Sequence, residues 1–264
     1  MTKQSILRFT ISSNTAHFRQ FDSNSAAMTY PTIPGTTIRG IVGYLAGLSR
    51  DDYTNKTNAI HMSVNAYKLS GNMERIVLGL NKIKAGTTKE MNSVLINYYS
   101  TGDVKQAAKH NAEKHEMFVV RDTSDKSLLR LRILVRGISE LGEEVLDRAY
   151  SRLKEAKEVG MKVPISVGKR WNLGWIDPVD CQYGPDDREG AIHPSGKVCV
   201  TGMMELSDEG EKAYTPWSMS KYRTDIEYKA ITTLPLDSKE NCIQMVLPAG
   251  GDLIDDNGYW VRLI

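Results

Sequence analysis

The sequence of 264 residues is 41% hydrophobic and 25% charged, with a net charge of +2 at neutral pH. That is ordinary globular composition, sufficient for a sizeable core, and by itself it names no function. No segment approaches the ~18 continuous apolar residues that a membrane span needs, so no membrane association is expected.

Charge is unevenly distributed along the chain. Residues 1–50 carry Lys3, Arg8, Arg19, Arg39 and Arg50 against Asp22 alone, whereas residues 180–211 carry eight acidic residues against Arg188 and Lys197. One region is suited to an anion and the other repels it, although clusters of this kind are also ordinary solvated surface. Cys181, Cys199 and Cys242 are odd in number and include no C-x-x-C pair. Neither a disulfide framework nor a zinc site is expected, and the default setting is reducing and cytoplasmic.

In chain order, "ILRFTI" (6–11) alternates as a half-buried strand, with Leu7, Phe9 and Ile11 on one face. After a polar loop, Ile38, Ile41, Val42, Leu45 and Leu48 recur at helical spacing. "ERIVLGLNKI" (74–83) predicts a second strand, and a polar segment over about 84–120 follows it. "LLRLRILVRG" (128–137) predicts a third, with Leu129, Leu131, Ile133 and Val135 opposite Arg130, Arg132 and Arg136. Ser139 is placed to cap a helix with Glu140, Glu143 and Glu144 near its start and a Leu141, Val145, Ala149, Leu153 stripe. "VPISVG" (163–168) gives a fourth strand and completes a ferredoxin-like order within an α+β fold. The expected organisation is one such domain over 1–180, with an insertion at about 84–120, and a smaller β-rich region over 181–264. Within the latter, "PAGG" before "DLIDDNGYWVRLI" predicts a turn and a terminal hairpin rather than a cofactor loop.

The first helix is striped with Gly40, Gly43 and Gly47, each costing roughly 1 kcal/mol relative to alanine inside a helix. Close packing on the protein's own sheet explains them, as does close approach of a partner or a nucleic acid. Arg39 is expected to project from neither stripe, near the anion-attracting helix N-terminus. The preceding loop offers Tyr30, Thr32, Thr36 and Thr37, with His17, Phe18 and Arg19 upstream. Interleaved aromatic, cationic and hydroxyl groups suit single-stranded RNA. "GKRW" (168–171) lacks the P-loop spacing, and Lys169 and Arg170 are expected RNA or subunit contacts. Trp175 is expected in the core, while Trp171 is open to either role. His61, His110, His115 and His193 share no metal-ligand spacing, so no metal or other cofactor is expected.

The run "TAHFRQFDSNSAAMTYPTIPGTTIRGIVGYLAGLSRDDY" (15–53) resembles the N-terminal signature of the fifth family of CRISPR-associated proteins, RAMP-type subunits of type I Cascade complexes, most closely subtype I-B. The family's FR pair, TYP loop, P-x-T-T segment, glycine-bearing helix and RD-x-Y end fall on Phe18–Arg19, Thr29–Pro31, Pro34–Thr37, Gly40–Gly47 and Arg50–Tyr53. "VPISVGKRWNLGWIDPVD" (163–180) is similar to the family's proline-to-glycine turn and following strand; residues 181–264 match loosely. The resemblance implies a ferredoxin-like RAMP domain with a thumb at about 84–120. It implies a subunit that holds the 5′ handle of the CRISPR RNA, caps the backbone RAMP subunits, contacts the large PAM-reading subunit and lies close to target DNA. The RNA site it implies comprises His17, Phe18, Arg19, Tyr30, Thr36, Thr37, Arg39, Gly40, Lys169, Arg170 and Trp171. Two alternatives are a metal-independent endoribonuclease using His17 and the equivalent capping subunit of a type III complex. Lack of an evident second catalytic group argues against the nuclease.

Overall fold

The computed structural model describes residues 5–20, 26–49, 62–70, 73–80, 113–120, 128–168, 172–185, 197–205, 207–219, 225–234, 243–246 and 252–264. Strands β1 (Ser5–Ser13), β2 (Thr15–Ala16) and β3 (Ala26–Ala27) precede helix α1 (Gly35–Leu45). Then come β4 (Met62–Ser70), β5 (Met73–Leu80), β6 (Glu113–Val120), β7 (Leu129–Gly137) and helix α2 (Glu140–Glu158). β8 (Val163–Ser166), β9 (Leu173–Ile176) and β10 (Gln182–Pro185) follow. The remainder is β11 (Lys197–Val200), β12 (Gly202–Glu205), β13 (Glu211–Met219), β14 (Ile226–Leu234), β15 (Ile243–Val246), β16 (Asp252–Asp256) and β17 (Tyr259–Leu263).

The central sheet runs β4-β7-β1-β9-β8, with β10 also pairing β1, and every pairing is antiparallel. Its order and the two helices make a ferredoxin-like split βαβ arrangement within an α+β fold. The expected faces of β1 and β7 are present: Leu7, Phe9, Ile11, Leu131, Ile133 and Val135 join α1 and α2 in the main core. Burying such side chains contributes about 1.5–3 kcal/mol each. The Ser139 hydroxyl accepts from the Gly142 amide at 3.1 Å, as its capping position predicts. The α2 stripe Val145, Leu146, Ala149 and Leu153 is fully buried.

Two strand assignments change. The second strand of the ferredoxin unit is β4, which pairs β7, whereas β5 belongs to another sheet and pairs β6. Buried Asn65 and half-buried Lys68 interrupt the apolar pattern of β4, so its sequence reads as polar. The strand that pairs β1 near residues 163–176 is β9, and β8 is its hairpin partner at the sheet edge. Residues 113–120, expected within the thumb, are strand β6; residues 84–112 lie outside the described residues.

The second face of the central sheet is closed from the C-terminal region. Ile6, Tyr67 and Leu134 pack with Ile254, Val261 and Leu263. At its centre Asp256, 3% exposed, accepts from Arg132 Nε at 3.1 Å and from the Tyr67 hydroxyl at 2.5 Å, with Arg8 Nε 3.8 Å away. Burial, then the neighbouring Asp256 carboxylate, pushes the Tyr67 phenol well above its ordinary range. Asn65, fully buried, donates to the carbonyls of Met203 and Arg262 and accepts from the Met203 amide, tying β4 to β12 and β17. The predicted terminal hairpin is β16–β17, turned by Asn257 and Gly258 at φ of 59° and 89°.

The cysteine expectation is corrected at one position: Cys199 is disulfide-bonded, while Cys181 is a free, buried thiol that burial pushes up to about 12. Among the described residues no helix is long and apolar enough to cross a membrane. The acidic stretch is partly neutralised, with Arg130–Asp180 at 3.0 Å, Lys229–Glu205 at 3.4 Å, Lys212–Asp208 at 3.8 Å and an Arg75–Glu211 pair.

Candidate nucleic-acid interface

Residues that are distant in sequence meet at the N-terminus of α1. His17, Phe18, Arg19, Pro34, Thr36, Thr37, Gly168 and Pro216 line a cleft of about 390 Å³. A second, more open groove of about 760 Å³ shares Thr36, Thr37 and Gly168 with it and continues past Gly40 and Tyr44. Together they run from the His17–Arg19 segment along one side of α1 to the β8–β9 hairpin.

The floor is held by backbone pairing between two short segments. The Tyr30 amide donates to the Phe18 carbonyl at 2.7 Å, the Gln20 amide to the Met28 carbonyl at 2.9 Å, and Arg19 bridges Thr29. Glu116 of β6 locks this unit. Its carboxylate accepts from the Thr29 amide at 2.8 Å, and its carbonyl accepts from His17 Nδ1 at 2.5 Å. Because a carbonyl only accepts, Nδ1 carries the proton. The Thr29 hydroxyl in turn accepts from the Phe18 amide at 2.9 Å.

Gly168 forms the opposite wall. Its φ is +121°, and a Cβ there would stand 1.8 Å from the His17 carbonyl oxygen, so only glycine fits. The His17 amide donates to the Val167 carbonyl at 3.1 Å and completes the junction. Helix α1 begins at Pro34 with no side-chain cap, which leaves its first turn, with Thr36 and Thr37, directed at the cleft. The C-terminal region contributes as well. A Cβ on Gly35 would meet the Trp217 ring at 2.8 Å, so the missing side chain lets the β13 indole seat against the start of the helix. Neither Trp217 nor Pro216 was among the residues picked from sequence, because no local pattern connects β13 with α1.

The sequence-derived residues therefore divide. Arg19 is exposed, and Thr36, Thr37 and Gly40 are partly exposed along the two grooves. His17, Phe18 and Tyr30 are 1%, 5% and 3% exposed and belong to the interior. Arg39 differs from the expectation of a projecting cation: it is buried and donates from Nη2 to the Met62 carbonyl at 3.1 Å, tying α1 to β4. Gly47 is also not inside the helix. At φ +67° it follows the C-cap, and bonds from Gly47 to Tyr44 and from Leu48 to Gly43 make a Schellman ending. Trp175 is half-buried, with Lys162 Nζ 5.3 Å from its ring centroid. Lys169, Arg170 and Trp171 lie outside the described residues, directly after Gly168 in sequence. Among the described residues no cluster of histidine, cysteine and carboxylate groups could hold a metal ion.

No family model matches the sequence. No curated protein matches it either. Among solved structures, a CRISPR protein from Archaeoglobus fulgidus has a similar fold, with a TM-score of 0.50 at 11% identity over 97% of this chain and 98% of that one. A chain of a CRISPR RNA-guided surveillance complex has a TM-score of 0.44 at 11% identity, over 93% of this chain and 91% of that one. A chain of the type III-B Cmr-beta complex bound to cognate target RNA has a TM-score of 0.37 at 9% identity, over 86% and 84%. At 11% identity the likeness to the Archaeoglobus fulgidus protein is one of fold.

Proposed function

We propose that this chain is a subunit of a CRISPR RNA-guided effector complex of type I that grips the repeat-derived 5′ handle of the CRISPR RNA and caps the backbone subunits beside the large subunit. The observation that carries this is the convergence of the signature residues His17–Arg19, Thr36–Thr37 and Gly168 on one cleft. The similar fold of a solved CRISPR protein supports it.

In this reading the uncapped first turn of α1 and the hydroxyls of Thr36 and Thr37 receive a phosphate, and the exposed Arg19 supplies the countercharge. Gly40 leaves the helix side low, so that the RNA backbone can approach along the second groove. The subunit binds RNA without cutting it. His17 is buried with its Nδ1 proton on the Glu116 carbonyl, a setting suited to positioning the floor rather than to exchanging protons with a 2′-hydroxyl. Target sequence is left to base pairing by the guide.

Binding of a short handle RNA at several salt concentrations tests this, with the assembled complex as well as the isolated chain. Arg19→Ala is expected to lower affinity across RNA sequences and to reduce the salt slope by about one, without altering stability. An unchanged slope removes Arg19 from the site. Labelled precursor repeat RNA is expected to stay intact on incubation with the protein, and specific cutting that His17→Ala abolishes would replace binding with processing.

A further inference from the structure

Strand β13 alternates between two faces. Ala213, Thr215 and Trp217 turn towards α1 and the core, while Lys212 and Tyr214 turn out, and Tyr214 is 60% exposed. The β14 register sets Tyr228 directly opposite Pro216 and Ala230 opposite Tyr214. The rings of Tyr214 and Tyr228 lie 5.3 Å apart at 16°, an offset stack on the outer face of the sheet. Pro216 is at the same time a wall of the cleft that Arg19, Thr36 and Thr37 line. Directly opposed residues on neighbouring strands stand about 5 Å apart, so the stack begins one cross-strand step beyond the cleft.

We propose that the Tyr214–Tyr228 pair is a base-stacking platform, which takes up an unpaired RNA base as the strand leaves the cleft past Pro216. This rests on the RNA reading of the cleft and extends it to a second subsite, on the C-terminal sheet. An aromatic pair whose Tyr214 ring is exposed and whose Tyr228 ring is half-buried offers a π-face to any base and makes no demand on its identity. Its neighbour on this strand face, Lys212, is exposed and cationic, which favours a nucleotide with a solvated backbone over an apolar protein surface. Stacking would order the strand emerging from the grip without adding sequence preference.

Two repeat-derived RNAs test the platform, one that fills only the cleft and one extended by a few nucleotides, with 2-aminopurine placed at each added position in turn. Wild-type protein is expected to quench the probe at one added position. Tyr214→Leu should abolish that quenching and weaken the longer RNA by roughly 5-fold or more, leaving the shorter one unaffected. Tyr214→Phe, which keeps the ring, should behave as wild type. Equal affinity of Tyr214→Leu and wild type for the longer RNA overturns the platform while leaving the cleft intact. So does an equal loss on both RNAs, which marks a structural role, or loss of subunit co-purification with RNA affinity unchanged, which marks a protein contact. Failure of wild-type protein to bind either RNA removes the reading of the cleft itself, and the platform with it.

Discussion

Two buried carboxylates, Asp256 and Glu116, come to their sites from opposite parts of the chain and are neutralised in different ways. Asp256 is met by the Arg132 and Arg8 side chains and the Tyr67 hydroxyl, under a hairpin that covers one face of the central sheet. Glu116 is met by a backbone amide, that of Thr29, and among the described residues no cation pairs with it. The first arrangement fastens two regions of the protein together. The second fixes the path of a loop, and with it the shape of the cleft. A buried charge held by arginines serves the fold, whereas one held by main chain serves local geometry.

Asp256→Ala is expected to cost the most stability. Removing one partner of a buried pair leaves Arg132 uncompensated, and the expected loss is about 3–5 kcal/mol, read as a lower urea midpoint. RNA affinity per folded molecule should be unchanged. Combining Arg132→Met with Asp256→Leu should recover most of the stability, because well-packed apolar replacements of buried pairs are often neutral. A small loss for Asp256→Ala alone would mean that water reaches the site and that the hairpin is held by its apolar contacts.

How much was legible in the sequence follows the same division. Elements whose partners are apolar stripes were readable: β1, β7, α1, α2 and the terminal hairpin all carry their pattern locally. The arginine face of β7 was readable as a face, but nothing local showed that Arg132 would be buried, since Asp256, which it meets, lies more than a hundred residues away. β4 escaped notice because Asn65, a polar residue at a core position, is satisfied entirely by distant backbone. At the site, Phe18, Arg19, Thr36 and Thr37 came from a linear signature, and the cleft does gather them. Glu116, Pro216 and Trp217 complete it from strands that no sequence spacing connects to α1. Arg39 misled because a cation near a helix start reads as ligand-facing, while its guanidinium in fact reaches the Met62 carbonyl inside the fold.

Gly168→Ala acts from the other wall of the cleft. The φ of +121° and the 1.8 Å approach to the His17 carbonyl cannot both survive a Cβ. Backbone strain of this kind costs about 1–3 kcal/mol, and the turn must move away from His17 to relieve the clash. RNA binding is therefore expected to fall sharply, with a smaller fall in the urea midpoint than Asp256→Ala gives. Full RNA affinity in Gly168→Ala would show that the position of this turn does not shape the site.

The change most informative for function comes from Glu116. Glu116→Ala removes the acceptor of the Thr29 amide, a bond to a charged group worth about 1.5–3 kcal/mol, but it strands no charge. The His17 bond runs to the main-chain carbonyl and survives the substitution, so half of the lock remains. Thr29 then loses its anchor next to the Arg19 bridge, and the Arg19 side chain is no longer presented at a fixed point on the cleft floor. The loss in handle affinity should accordingly resemble that of Arg19→Ala and add little to it in the double variant, because both act through the same contact. Glu116→Gln, whose amide oxygen still accepts from Thr29, should restore most of the binding. If Glu116→Gln is as damaging as Glu116→Ala, the carboxylate's charge rather than its hydrogen bond is what the site requires, and the distinction drawn between Glu116 and Asp256 fails.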